Sequence, residues 1–496
     1  MKKAISYHYH LLSAHAGQVG SRVCRSNPTM LGLEVVIKTA IIVSSVLVIE
    51  AAVRRGVIFQ SFSRWTYTFL DMSFFVTAIG YGLISCAALV WRVTLWLRYR
   101  PMQSVSDAEL PGVTVIIPAF NEGTLVRKSI AAAGNSCYPN GKLQLIVVDD
   151  GSTDDTWTHI VAAVESLGPV ANVLVIKQPQ NMGKRQALYA GFRHARCEVI
   201  VTIDSDSILE QDALRNAVSA LVREPRIGAV AGCVEVLNPR DSMITRFLRC
   251  TFSLSFKFVR AYQSEFRGVF CTPGALSVYR AEVVHKVADE WVKQTFLGRV
   301  CTTGEDRAMT NLILREGWLT AYQGNAVVRS KMPSNYVGMA CMFLRWARSN
   351  IRETIILNRF MFKPFRREFI TSFRVNMLLV LSTLIIPYLL IGNSWALIFT
   401  NFDYAIRHAS MVVIYGITMA TIYYRNERDS DWIWLLAYEF FWIISLSWVM
   451  PYAALSLRNT GWLTRGNVTK PKRRYGTKAK GVIAVRLPHP LDGHVS

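Results

Sequence analysis

The sequence predicts a mainly parallel α/β domain set between apolar helices of membrane length, and three observations predict it. Short β-branched runs alternate with amphipathic stretches from Pro111 to about Pro333, the pattern of strands joined by crossover helices. Charge-poor blocks of about twenty residues, the length a bilayer asks for, flank that region on both sides. Hydrophobic residues make up 51% of the 496 and charged residues only 18%. That is too apolar for an ordinary soluble enzyme and too polar for a chain of spans alone.

Residues 1–30 form a polar tail without the build of a signal or transit peptide, and Met30 is a candidate start. Residues 31–100 hold two expected spans, 35–53 and 72–91. Arg92, Arg98 and Arg100 follow the second and place that end in the cytosol, although Arg54, Arg55 and Arg64 in the intervening loop pull the other way. In the domain, 105–335, the runs 113–117, 144–148, 171–176, 199–203 and 227–231 read as strands. The stretches 122–133, 155–166, 184–195 and 212–223 read as the helices between them. Residues 336–370 are expected to be interfacial helices: 336–352, then the basic and aromatic segment 358–367. Three apolar blocks, 375–391, 411–424 and 432–457, fill 371–457, and 458–496 is a basic tail expected in the cytosol. Three full crossings after a cytosolic domain would leave that tail outside. One block, the last by preference, is therefore expected to lie in the interface or re-enter.

The net charge of +22 raises the question of nucleic acid. Lys and Arg concentrate beside the apolar blocks, at 92–100, 345–367 and 470–480, which fits topology and anionic lipid better. No nucleic-acid partner is expected. Nine scattered cysteines, none in a Cys-x-x-Cys, read as reduced and structural.

The chemistry is expected at the strand ends. The run Val201-Thr-Ile-Asp-Ser-Asp-Ser207 reads as a buried strand closing on Asp204 and Asp206. Residues two apart in an extended chain face one side, so both carboxylates can meet a divalent cation that bridges phosphate oxygens. Alone, a solvated Asp-Ser turn is the commoner explanation. Three other strand ends weigh against it: Pro118-Ala119-Phe-Asn121-Glu122, Asp149-Asp150-Gly151-Ser-Thr-Asp154, and Asn181-Met-Gly183-Lys184-Arg185. Carboxylates can read a base edge or hold a metal, while Lys and Arg neutralise phosphate, so together they suit a nucleoside diphosphate.

Those runs resemble the inverting family 2 glycosyltransferases with the GT-A fold. Gly304-Glu305-Asp306-Arg307, Cys271-Thr-Pro-Gly274 and Ala261-Tyr-Gln-Ser264 resemble the branch of hyaluronan synthases, rhizobial chitin-oligosaccharide synthases and chitin synthases. Arg345-Trp346 and Trp462-Leu-Thr-Arg465 extend the likeness into the membrane region, over about residues 72–466.

The resemblance implies a processive enzyme that polymerises sugar from a UDP donor, UDP-N-acetylglucosamine first, in β linkage. It also implies a multi-pass plasma-membrane protein, with the catalytic domain in the cytosol and the chain exported. Its partners would be the UDP-sugar, the growing polysaccharide and the bilayer. It implies that Asp150, helped by Asp149, contacts the uridine, with Pro118, Ala119, Asn121 and Glu122 nearby. Lys184, Arg185 and Arg345 would meet the diphosphate, and Asp204 and Asp206 would hold Mg2+ or Mn2+ on it. Trp462 and Arg465 would add nucleotide contacts. Asp306 would be the general base, and Trp346, Cys271 and Gly274 would face the acceptor. On the residues alone, Asp306 could instead be a helix N-cap, and Trp346 an interfacial tryptophan. Met342 stands where the family pattern has Gln and Leu463 where it has Gly, so a side-chain hydrogen bond and a compact loop would be absent. Asn376, Tyr388, Glu439 and Trp442 are expected to line the exit path. Two rival readings are a non-processive transferase acting on a lipid phosphate and a non-catalytic export subunit.

Overall fold

The computed structural model describes residues 28–56, 69–139, 141–168, 172–382, 402–459 and 483–486. The tail 1–27, Tyr388, Trp462, Arg465 and nearly all of the basic tail fall outside them. Strands β1 (Val113–Ala119), β2 (Leu143–Asp149), β3 (Asn172–Lys177), β4 (Val199–Thr202) and β6 (Ile227–Val236) match the five expected ones. Four more join them in one sheet: β5 (Ser207–Leu209), β7 (Ser277–Arg280), β10 (Leu319–Ser330) and β11 (Ile483–Arg486). A separate two-strand hairpin pairs β8 (Thr295–Phe296) with β9 (Arg299–Val300).

The order is β11-β3-β2-β1-β4-β7-β6-β10-β5. Strands β3, β2, β1 and β4 pair in parallel, as do β6 and β10, while β7, β5 and β11 run antiparallel. The sheet is mainly parallel, as expected, with antiparallel strands that the alternation signal does not carry.

Both faces are covered, which explains why β1 and β4 are buried at every residue. Val113, Val115 and Ile117 of β1 pack on one face with helices α3 (Leu125–Gly134), α4 (Thr156–Ser166) and α6 (Ala213–Arg223). Ile116 points the other way, to Leu188 and Phe192 of α5 (Lys184–His194), Trp291 of α9 (Ala281–Val292) and Ile313 of α10 (Glu305–Arg315).

The apolar helices α1 (Pro28–Arg54), α2 (Phe69–Arg98), α13 (Phe402–Glu427) and α14 (Ile433–Phe441) meet the domain along one long helical element. That element is α7 (Met243–Ser253), a π-helical turn at Leu254–Arg260, and α8 (Ala261–Glu265). Phe247, Phe258, Tyr262, Tyr423 and Trp434 share this third core. Val36, Leu47, Leu83 and Val90 are exposed on the outward faces of α1 and α2, which is costly in water and natural in lipid. Among the described residues, four segments are long and apolar enough to cross a membrane: Gly32–Arg54, Ile79–Arg98, Ala405–Glu427 and Ser430–Leu455. Of the expected block 375–391, residues 375–382 belong to α12 (Ile370–Ser382), and the rest lies outside the described residues.

At the seam, Glu34 and Lys38 of α1, Arg246 and Arg249 of α7, and Asp429 and Asp431 interlock. Arg246 grips Glu34 with two bonds of 2.9 and 2.7 Å, and Lys38 reaches Asp431 at 3.1 Å. Arg249 pairs with Asp429 at 2.6 Å and also with Asp431. The last apolar block starts here. Its far end, α15 (Val449–Leu455), packs along α11 (Tyr336–Met361), where Leu446, Val449 and Ala453 join Met339, Met342 and Ala347 in the domain core. Arg348 donates to Ser456 Oγ at 3.0 Å. Both ends of the block therefore touch the domain. Met342, in place of the family's Gln, is a buried core residue.

Candidate active site

Strands β1 and β4 are neighbours, and the chain leaves them toward opposite sides of the sheet, with β2 and β3 on one side. A crevice opens at the carboxyl ends of strands in such a place, and several of the expected site residues that the structure describes lie around it.

Pro118 and Ala119 close β1, and Ala119 O accepts from Asp150 N at 2.8 Å. Asn121 adopts a left-handed φ of 51°. Its amide donates to Ser152 Oγ and its side chain accepts from Thr153 N at 2.9 Å. Glu122 accepts from Ser205 Oγ at 2.9 Å. These two side chains stitch the loop after β1 to the loops after β2 and β4.

The aspartate pair divides its work differently from the expectation. Asp150 accepts from the backbone N–H of Met182 and Gly183, each at 2.8 Å, and so clamps the turn that starts α5. Burial, with Asp149 adding to it, pushes Asp150 up to about 7 against those two donors. Asp149 is fully buried; Oδ1 accepts from Ser152 N, and Oδ2 has no partner among the described residues. The carboxylate oxygen with capacity to spare belongs to Asp149.

Lys184 and Arg185, adjacent in sequence, point apart. Lys184 Nζ lies 2.5 Å from Asp204 Oδ1 and 3.0 Å from Glu305 Oε1. Burial works to lower the ammonium's pKa, but the two carboxylates override it and hold it above its ordinary value. Arg185 is buried the other way, donating to Trp291 O at 2.7 Å and Gln294 Oε1 at 2.8 Å while lying over the Trp291 ring. The expected diphosphate contact of Arg185 is corrected: successive helical residues diverge by about 100°, and its direction faces α9.

Asp204 and Asp206 are partly exposed while Ser205 between them is buried; strand β4 ends at Thr202, and the pair lies in a turn closed by Ser207 N on Asp204 O at 3.0 Å rather than in the strand as expected. Gly274 approaches closely enough that a Cβ there would meet Lys184 Nζ at 2.6 Å and Asp204 at 3.4 Å. No group of three or more metal-ligating side chains occurs among the described residues. Two carboxylates completed by substrate oxygens is nonetheless a common way to hold Mg2+, and the Lys184 ammonium already sits on Asp204 as a cation would.

Glu305 and Asp306 open α10 behind Gly304, the N-cap, whose φ is 73°. Asp306 makes no side-chain cap and is a first-turn residue, so the N-cap alternative is not realised. Burial works to raise Glu305, but Lys184 overrides it and holds it low, with Arg345 adding to the effect. Burial and the neighbouring Glu305 raise Asp306. The two neighbouring carboxylates are thus shifted in opposite directions, Glu305 held charged against Lys184 and Asp306 raised. Cys271 Sγ lies 3.6 Å from Asp306 Oδ2, and burial then Asp306 raise its thiol.

On α11, Trp346 stands 37% exposed, with ring centroids 5.9 Å from Phe252 and 5.8 Å from Phe343. Phe343 in turn lies 5.6 Å from Trp442. Sequence reasoning missed the residues that fasten α11 to α10. Glu353, wholly buried, accepts from Arg352 at 3.0 Å and from Asn311 and Gln294 at 3.2 Å. Arg307 donates to Asn350 and Thr354, each at 2.7 Å. The signal was present, since Arg352-Glu353 is a charged pair inside an otherwise amphipathic helix.

A family model described as "Glycosyltransferase like family 2" matches residues 111–349. An N-acetylglucosaminyltransferase of Azorhizobium caulinodans is 28% identical over 401 residues, covering 77% of this chain and 98% of that protein. One from Rhizobium meliloti is 32% identical over 288 residues, covering 55% and 67%. Among solved structures, a mannosyltransferase from Pyrobaculum calidifontis in complex with GDP-Man and Mn2+ matches with TM-score 0.52 at 22% identity. That match covers 75% of this chain and 98% of the other, and it supports the fold.

Proposed function

The chain belongs to the family 2 glycosyltransferases, and from that premise we propose that it transfers N-acetylglucosamine from UDP-N-acetylglucosamine onto a growing β-linked chain. It repeats the step without releasing the chain, which leaves through the membrane portion. The donor choice is supported by the relatives, which are named N-acetylglucosaminyltransferases. The observation that carries the reading is the Lys184 ammonium, which spans Asp204 on the nucleotide side and Glu305 beside Asp306 on the acceptor side.

Asp149 Oδ2, buried and without a partner among the described residues, would accept a hydrogen bond from a base edge, while Asp150 holds the turn at Gly183 in shape. Lys184 neutralises diphosphate charge. Asp204 and Asp206 would hold Mg2+ or Mn2+, whose charge would steady the diphosphate as a leaving group. The acceptor hydroxyl oxygen attacks C1 of the sugar from the face opposite UDP. Asp306 takes the hydroxyl proton, the C1–O bond to the diphosphate breaks, and UDP leaves with the electron pair, inverting C1. Trp346 offers a ring face for the acceptor sugar, and Phe343 and Trp442 continue an aromatic line away from it. In this reading the α/β domain faces the cytosol, where the nucleotide donor is.

The test is purified protein in detergent with Mg2+ or Mn2+ and radiolabelled UDP-N-acetylglucosamine, alone and with UDP-glucuronate, beside Asp306→Asn. A chitinase-sensitive polymer from the single donor is expected. A hyaluronidase-sensitive polymer requiring both donors would move the product to hyaluronan, and UDP release without polymer would favour a short lipid-linked acceptor. No turnover with any UDP-sugar would overturn the reading.

A further inference from the structure

Away from the catalytic crevice, a cavity of about 380 Å³ opens where α2 and α13 end against the domain. Trp96, Tyr99 and Arg100 come from α2 and the residues just after it, and Arg425, Asn426 and Arg428 from the end of α13. Lys257 and Tyr322 line it from the domain.

Four cations lie around one hollow, and their pairing is uneven. Lys257 is paired at 2.8 Å with both Glu235 and Glu427. Among the described residues, the Arg100 guanidinium donates only to the backbone carbonyls of Leu97 and Tyr99. Arg425 lies over the Trp96 ring at 5.6 Å. Among the described residues, neither the Arg425 nor the Arg428 guanidinium has a carboxylate or hydrogen-bond partner, although Arg428 N donates to Tyr424 O at 2.9 Å, and Asn426 Nδ2 is buried without a partner. Three guanidiniums without a carboxylate, around a hollow that also holds an unsatisfied amide donor, call for an anion.

The floor is built rather than incidental. Tyr99 donates to Tyr322 O at 3.0 Å and accepts from Gly324 N at 2.9 Å, which fixes the end of α2 to β10. The surroundings indicate the anion's source. Both helices are apolar up to this level, with Val90 and Leu97 exposed on α2 and Ile417 and Tyr424 on α13. Trp96 lines the cavity at this level, as aromatic residues do at the headgroup level of a bilayer.

We propose that this cavity binds the phosphate of an anionic phospholipid headgroup, with the acyl chains lying along the exposed apolar flanks of α2 and α13. Arg100, Arg425 and Arg428 hold the phosphate oxygens, and Asn426 donates to one of them. The lipid would pin the membrane ends of two helices to the domain, a role separate from sugar transfer.

The test uses the full chain in nanodiscs made from phosphatidylcholine with 20% phosphatidylglycerol, extracted into mild detergent and weighed by native mass spectrometry. Wild type is expected to retain phosphatidylglycerol over phosphatidylcholine, and the triple variant Arg100→Gln, Arg425→Gln, Arg428→Gln to lose about tenfold of that retention. Arg428→Glu, at an exposed position, supplies a second reading should the triple variant fail to fold, and is expected to lose retention too. Inorganic phosphate at 10 mM should not displace the lipid. Displacement of bound phosphatidylglycerol by inorganic phosphate would assign the cavity to the free anion and overturn the lipid source. Equal retention of the two lipids, or unchanged retention in both variants, would overturn the site.

Discussion

Asp306 has the two properties that a base beside a departing diphosphate needs: access to the crevice and a pKa lifted by burial and by Glu305. Asp306→Asn keeps the shape but cannot accept a proton, so kcat should fall by about 10²–10⁴ while UDP affinity, read by calorimetry, holds. The pH profile tests the pairing. Replacing Glu305 with Gln removes a negative neighbour and leaves Lys184 freer to act on Asp306, and both effects lower the Asp306 pKa. The acid limb of kcat/KM should therefore move to lower pH in Glu305→Gln, and a move upward would contradict the assignment. Asp150 makes a separate, structural prediction. Its folded pKa of about 7 lies above the ordinary carboxylate value, so the stability tied to its proton is full below about pH 4 and is lost as pH rises through 7. Asp150→Asn should flatten the melting temperature over that window. The sequence identified these carboxylates but not their division of labour. Which aspartate of a neighbouring pair clamps a turn, and which keeps an oxygen to spare, depends on where Met182 and Gly183 present their N–H groups.

At the scale of elements, α10 carries the proposed base Asp306 and α11 carries Arg345 and the proposed acceptor platform Trp346, so their packing would set the distance between the two. Glu353 lies in that contact, wholly buried and bonded from three elements. Glu353→Ala would leave Arg352 buried without its carboxylate, a loss of about 3–5 kcal/mol by the usual cost of breaking a buried pair, seen as a drop in melting temperature. Gly304→Ala attacks the same contact sterically. Its φ of 73° disfavours a side chain, and a Cβ would lie 2.6 Å from Ser349 Cβ. The parallel strands and their helices were legible because alternation and burial write themselves into composition. Strand β7 was not, since four residues between β4 and β6 carry too short a pattern. Arg185 misled for a related reason: the pair reads as one basic patch in sequence, while the helix sends its members to opposite sides.

For the whole molecule, the sequence signals the apolar blocks clearly and their crossings poorly, because length and hydropathy do not distinguish a span from a segment lying on a domain. The contacts discriminate. Helix α1 begins at the domain, where Glu34 meets Arg246, and ends away from it, where Arg55 meets Asp403 at the start of α13. Helix α13 returns to the domain at Glu427, which pairs with Lys257. The block Ser430–Leu455 then begins at the Arg249 pairs and ends at Arg348, with both ends on the domain. We propose from that path that it is an interfacial segment, which the parity of a basic tail on the domain's side would require. In a chain cleared of its native cysteines, Ser456→Cys should react with a membrane-impermeant maleimide from the same face as a cysteine placed in the α/β domain, and Arg54→Cys only from the opposite face. Labelling of Ser456→Cys and Arg54→Cys from one common face would make Ser430–Leu455 a true crossing. The exit path would then have to be drawn through one more helix than these contacts place in the bilayer.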